Sequence, residues 1–211
     1  KHALKYEFSF IEGAMGLYDG IGSTSNSSTA NVAKLLNVPV IFIVNAKGQV
    51  ASLLPLVKGF RNFDNDISIK GIIFNNVNSE RHKKLIKEVF KNENIKILGF
   101  LPSDPKITIN KANLGLISPL DTDKKIDVSY FASFAEENLD LVSFGKFLKC
   151  PKEKIFNVSN KFNFKVDKSK PVAIVEDKIF HFQYADTREF LDEIGIPLIS
   201  WSIFDNEEIP R

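Results

Sequence analysis

Apolar, β-branched and aromatic residues gather in four short runs, Tyr6 to Ile11, Val38 to Val44, Ile69 to Phe74 and Ile95 to Leu101, at about thirty-residue spacing. Each is short enough for a strand. Between them the apolar period lengthens to that of a helix. Thr29 to Leu36 follows a Ser/Thr-rich cap, Ala51 to Phe60 carries apolar residues at helical spacing, and Arg81 to Phe90 sets Leu85, Ile86, Val89 and Phe90 on one face. This alternation predicts parallel strands joined by right-handed crossovers, an α/β fold with a parallel sheet flanked by helices. IFIV and GIIF are continuous rather than alternating, as in strands covered on both faces.

In such sheets ligands bind beyond the carboxyl ends of the strands. Polar residues follow each run: Glu12 after the first, Asn45 after the second, Asn75 and Asn76 after the third, Pro102 and Asp104 after the fourth. The pattern locates a site without naming its ligand. Beyond it, a helical stretch is expected from Val128 to Lys149, closing a domain over residues 1–150. Residues 151–170 mix Pro, Asn, Lys and Ser with isolated Phe and read as a linker. Residues 171–211 then open a second α/β unit, with a strand Val172 to Val175, a helix Thr187 to Ile194 and a strand Pro197 to Trp201.

Composition narrows the partners. With 28 basic and 26 acidic side chains in 211 residues, the net charge of +2 gives no footprint for nucleic acid or an anionic membrane. A single Cys forms no internal disulfide, and no run approaches the roughly 18 to 20 apolar residues of a membrane span, so a cytoplasmic protein is expected. The opening KHALKYEFSFIEG has no initiator Met and no signal pattern and runs directly into the first predicted strand, as an internal piece of a longer chain would.

Glu12 is followed by Gly13, Gly16 and Gly20, with Asp19 in the same loop. A carboxylate there can hold Mg²⁺, and the glycines let backbone approach a phosphate or a bulky substrate; equally, Glu12 can be a turn acid in a Gly-rich connection. Spacing alone leaves both open. The histidines His2, His82 and His181 are dispersed, without a second ligand at metal spacing. Cys150, in KCPKEK, reads as a small thiol rather than a nucleophile, and Phe180, Phe182 and Tyr184 read as packing residues.

The order of blocks says more. IEGAMGLYDG, SSTANVAKLL, PVIFIVNAKG, KGIIFNNVNSERH, ILGFLPSD and KPVAIVEDKIFHFQY together resemble the cobyrinic acid a,c-diamide synthase family, in the family's order and over nearly the whole chain. The resemblance implies a P-loop NTPase domain similar to dethiobiotin synthetase, followed by the start of a class I glutaminase-like domain. It implies a ligase that uses ATP, Mg²⁺ and glutamine-derived ammonia to amidate carboxylates of a cobyrinate-like tetrapyrrole through an acyl phosphate. By position, Glu12 would hold Mg²⁺, Asp19 would orient or activate the substrate carboxylate, Asn75 would read the adenine edge and Pro102 would border the base. Ser28 and Thr29 would meet substrate, or cap a helix.

Three positions depart from the family: its GSTA reads SSTA with Ser27 for Gly, its aspartate after the second strand is Asn45, and its HLGL reads NLGL with Asn113 for His. No G-x-x-x-x-G-K-[ST] occurs in the sequence. In the family that loop precedes the point where this chain starts, and the glutaminase Cys and His lie beyond its end. A piece of this kind is expected to be inactive alone and to cover exposed sheet by forming a homodimer. Two rival readings keep the scaffold: amidation of another tetrapyrrole such as nickel-sirohydrochlorin, and a non-catalytic tetrapyrrole-binding module.

Overall fold

In a computed structural model of the chain, residues 6–108, 127–148, 167–177, 180, 183–205 and 207–210 are described. His2, Asn113, Cys150, His181, Phe182 and most of the expected linker lie outside them. The described residues fall into two compact units, 6–108 with 127–148 and 167–210.

In the first unit a three-stranded parallel sheet is ordered β1 (Val40–Asn45), β2 (Ile69–Asn75), β3 (Lys96–Leu101). Val44 pairs with Phe74, and Phe74 with Phe100, so the register stacks apolar residues across the strands. The central strand β2 is buried from Gly71 to Phe74, which is why GIIF carries no polar alternation. A Cβ on Gly71 would lie 2.5 Å from the Leu98 side chain, so only glycine admits that packing. The helices are α1 (Thr29–Leu36), α2 (Leu53–Phe63) and α3 (Glu80–Phe90). Leu53 and Val57 of α2 and Ile86 and Phe90 of α3 join Val44, Ile72, Phe74 and Phe100 in one core.

α1 begins and ends on its own sequence signals. The Ser28 hydroxyl accepts the Asn31 N–H at 3.1 Å, and Asn37 closes the helix in the left-handed conformation with φ of 51°. Ser27 also has a left-handed φ of 63°. A left-handed non-glycine residue costs roughly 1–2 kcal/mol. Ser27→Gly is therefore expected to stabilise this unit by about 1 kcal/mol and raise its melting temperature by about 2–4 °C. A thermal melt showing no rise would contradict this strain.

Two expectations are corrected. Tyr6 to Ile11 forms no strand: residues 8–14 have no regular structure, and Tyr6, Phe8, Phe10 and Ile11 are 59, 46, 62 and 60% exposed. A strand persists only with a ladder partner, and this segment pairs with neither β1 nor β3. Instead Phe10 stacks on Phe144 with ring centroids 5.7 Å apart. The helical stretch expected from Val128 to Lys149 is divided into α4 (Val128–Asn138) and α5 (Leu141–Gly145). Between them Leu139 bridges Gly99 antiparallel, and the Asp140 N–H donates to the Leu98 carbonyl at 2.7 Å. Asp127 and Asp140 each cap the helix that follows, accepting the Tyr130 and Ser143 N–H groups at 3.0 and 2.9 Å.

The second unit has β4 (Val172–Val175) parallel to β5 (Leu198–Trp201), with α6 (Ala185–Glu193) as the crossover. Gly195, with φ of 77°, turns the chain out of α6. No helix among the described residues is long and apolar enough to cross a membrane.

Candidate functional site

The sequence-predicted residues fall into two groups. At the carboxyl ends of the strands, Asn45, Asn75 and Pro102 directly follow or end β1, β2 and β3. Asn76 ties them together: its Nδ2 donates to Asn45 Oδ1 at 2.9 Å and its Oδ1 accepts the Ser103 hydroxyl at 2.9 Å. The Asn76 N–H donates to Asn75 Oδ1 at 2.9 Å. Ser103 N–H donates to Asn78 Oδ1 at 2.7 Å. Asn45 keeps its side-chain oxygen in use, also accepting the Lys47 N–H at 3.1 Å.

Beside this edge the Tyr130 hydroxyl donates to Asp104, and the Lys106 ammonium sits 4.7 Å from the centre of the Tyr130 ring. That hydrogen bond, with a second from the Lys106 N–H, holds the Asp104 carboxyl below its ordinary value of 3.8. The same bond, then burial, raises the Tyr130 phenol. A depressed carboxyl stabilises the fold above its unfolded pKa and loses that contribution as pH falls through the lower folded value. Tyr130→Phe removes the leading cause, so the Asp104 titration midpoint is expected to move up toward the ordinary range, as carboxyl NMR would show; an unmoved midpoint would refute the assignment.

The second group is the Gly-rich loop. Asp19 and Gly16 form a closed turn, Gly16 N–H to Asp19 Oδ2 at 3.0 Å and Asp19 N–H to Gly16 carbonyl at 3.1 Å. A Cβ on Gly16 would lie 2.4 Å from that carboxylate. Thr29 donates to the Ala14 carbonyl at 3.4 Å, and a Cβ on Gly13 would come within 2.5 Å of its side chain. Ser28 is buried as the α1 cap. Capping is thus its role here, while Thr29 fastens the loop. Glu12 is exposed and has no hydrogen bond or ion pair among the described residues.

No hydrogen bond or ion pair joins the two groups among the described residues. Leu17 and Ala30 pack against Ile67, Ile69 and Val40, and the Tyr18 hydroxyl donates to the Phe60 carbonyl at 2.7 Å; these are the amino-terminal ends of β1 and β2. A cavity of about 310 Å³ lined by Arg61, Asn62, Asn65, Asp66, Ile67, Ser68, Ile69 and Lys70 also lies at the amino end of β2.

His82, on the N-terminal turn of α3, is engaged through Nε2 with the Gln49 carbonyl at 2.7 Å, a packing role. Reading the sequence missed Ser103, Asn78 and Tyr130. The first two had a signal, the polar NNVN and PSD clusters at consecutive strand ends; Tyr130 had none, since its partner is 26 residues away.

Among the described residues no group of three or more His, Cys, Asp or Glu could hold a metal. Mg²⁺ needs no such cage: it keeps several waters and binds through one or two carboxylates and substrate phosphates. The uncommitted, exposed Glu12 carboxylate fits that donor set. Asp19 is already engaged by the Gly16 amide.

The family model described as AAA domain matches residues 1–111. The chain belongs to that family. It is 38% identical to the cobyrinate a,c-diamide synthase of Caldanaerobacter subterraneus over all of its own length and 46% of the relative's. The enzyme of the same name from Limosilactobacillus reuteri is 38% identical over 97% of this chain and 45% of the relative, and that of Methanocaldococcus jannaschii 35% identical over 100% and 48%. The likeness expected from the ordered blocks is therefore found along the whole chain, which spans about half the length of the curated relatives it matches. No solved structure matches it.

Proposed function

We propose that the chain is the nucleotide- and substrate-binding part of an ATP-dependent, glutamine-fed ligase that amidates the a- and c-carboxylates of cobyrinate in cobalamin biosynthesis. The observation that carries this is the end-to-end likeness to cobyrinate a,c-diamide synthases, at 38% identity, on an AAA-domain α/β fold. In this reading residues 1–150 are the synthetase domain and 171–211 open a glutaminase-like domain. ATP with Mg²⁺ supplies the phosphoryl group that converts a carboxylate into an acyl phosphate, from which ammonia displaces phosphate.

The chain's own residues divide the remaining tasks. Asn75 presents an amide to the adenine edge and Pro102 borders the base, both at the carboxyl ends of the strands where such sheets bind nucleotides. Glu12 holds Mg²⁺ at the phosphate end, Asp19 orients the substrate carboxylate, and Thr29 with Ser28 fixes the loop that carries them.

The deciding experiment is amidation by the longer protein that contains this chain, with ATP, Mg²⁺ and glutamine against cobyrinate and nickel-sirohydrochlorin. Cobyrinate is expected to be converted to its diamide, with Glu12→Gln lowering the rate at least about ten-fold and raising the Mg²⁺ requirement. Turnover of nickel-sirohydrochlorin alone would move the substrate to that tetrapyrrole. Absence of ATP hydrolysis with either acid would leave a binding module and sink the proposal.

A further inference from the structure

A carboxamide distinguishes bases only if its oxygen and nitrogen ends are fixed. Adenine offers the N6 donor beside the N7 acceptor, whereas guanine offers two acceptors, O6 and N7. An asparagine held with Oδ1 and Nδ2 in set positions matches the first pattern and not the second. At Asn75 that setting is made by its neighbour: the Asn76 N–H donates to Asn75 Oδ1 at 2.9 Å. Turning the amide over would set an NH₂ group against that N–H. The oxygen still has a second lone pair for a base.

The Asn76 backbone is itself held in an uncommon state, with φ of 63°. Asparagine visits this region more readily than most residues but does not stay there unaided. Its side chain supplies the hold, donating to Asn45 Oδ1 after β1 and accepting from Ser103 after β3, both at 2.9 Å. One side chain thereby fastens the ends of all three strands. Its partners are uncharged, so the edge offers directional hydrogen bonds rather than attraction for phosphate.

We infer that Asn76 is a specificity-determining positioning residue, whose bridge between Asn45 and Ser103 locks the amide orientation of Asn75 and makes the edge select adenine over guanine. This rests on the nucleotide reading of Asn75 given above.

The test compares ATP- and GTP-driven turnover of the longer protein in wild type, Asn76→Gly and Ser103→Ala. Glycine keeps the left-handed backbone without strain and removes only the bridge. Asn76→Gly is expected to raise KM for ATP and to lower the ATP-to-GTP ratio of kcat/KM at least about ten-fold, with kcat at saturating ATP within about three-fold of wild type. Ser103→Ala shifts the same ratio in the same direction by less. An unchanged ratio overturns the inference, as does an equal loss with both nucleotides. If wild type uses neither nucleotide, the proposed function fails and the lock is decided on the chain alone. Hydrogen exchange of the Ala46 and Val77 amides, bonded to the Asn75 and Leu101 carbonyls, then accelerates at least about ten-fold in Asn76→Gly. Unchanged exchange overturns it.

Discussion

Phe74→Ala is expected to cost the first unit about 3–5 kcal/mol, the largest loss any single truncation in its core should produce. Phe74 is fully buried in the central strand, with its ring 5.2 Å from that of Phe90 and 5.7 Å from that of Phe100. It sits where α3, β2 and β3 meet, so the surrounding atoms belong to three elements that cannot all move into the void. Against a typical domain stability of about 5–15 kcal/mol the loss is about a fifth or more. In urea, with an m value of about 2 kcal/mol/M, the midpoint followed by far-UV circular dichroism should fall by roughly 2 M. A fall below about 0.5 M would mean that the site collapses around the missing ring, and that the core is not organised on β2 as described. Phe42→Ala offers a contrast, because Phe42 is only half-buried and packs at the rim of that core.

The part of the fold that Phe74 anchors is also the part most legible in the sequence. Continuous apolar runs such as GIIF announce strands buried on both faces, and Ser28 and Ser79 announce the starts of α1 and α3 because each caps with its own side chain. These signals are local. What the sequence did not show depends on distant partners. Tyr6 to Ile11 has every local mark of a strand, yet whether it becomes one is decided by a ladder edge elsewhere. Val128 to Lys149 has helical content throughout, and only Asn138-Leu139-Asp140, with an aspartate placed to cap, hints at the break that Gly99 imposes from another strand. A Cβ on Gly99 would lie 2.3 Å from the Asn138 carbonyl oxygen, so the break and the glycine require each other. The candidate site divides in the same way. Asn45, Asn75 and Pro102 lie at strand ends, which can be counted along the chain. Glu12 follows a segment that forms no strand among the described residues.

In the second unit the corresponding large effect lies in a charge rather than a ring. Asp177 is 6% exposed, and its two oxygens accept three backbone N–H groups: Phe180 at 2.9 Å, Ile203 at 3.0 Å and Phe204 at 3.1 Å. The first lies in the loop after β4 and the others in the loop after β5, so one carboxylate fastens both strand exits. Asp177→Ala leaves three amides without their acceptor, and hydrogen bonds to a charged acceptor are worth about 1.5–3 kcal/mol each, though not additively. A loss of about 3–5 kcal/mol is expected. Asp177→Asn keeps one acceptor oxygen and should fall between wild type and alanine. Trp201, the only tryptophan of the chain, ends β5 and donates through Nε1 to the Glu207 carbonyl at 3.0 Å, so its fluorescence reports this unit specifically. The exposed pair of Arg188 with Glu176, 2.8 Å apart, provides the internal control. Its contribution should fade in about 1 M salt, where the screening length is near 3 Å, while that of Asp177 should persist. Equal stability of the alanine variant and wild type, or an asparagine variant weaker than alanine, would show that the two loops are held by something other than this carboxylate.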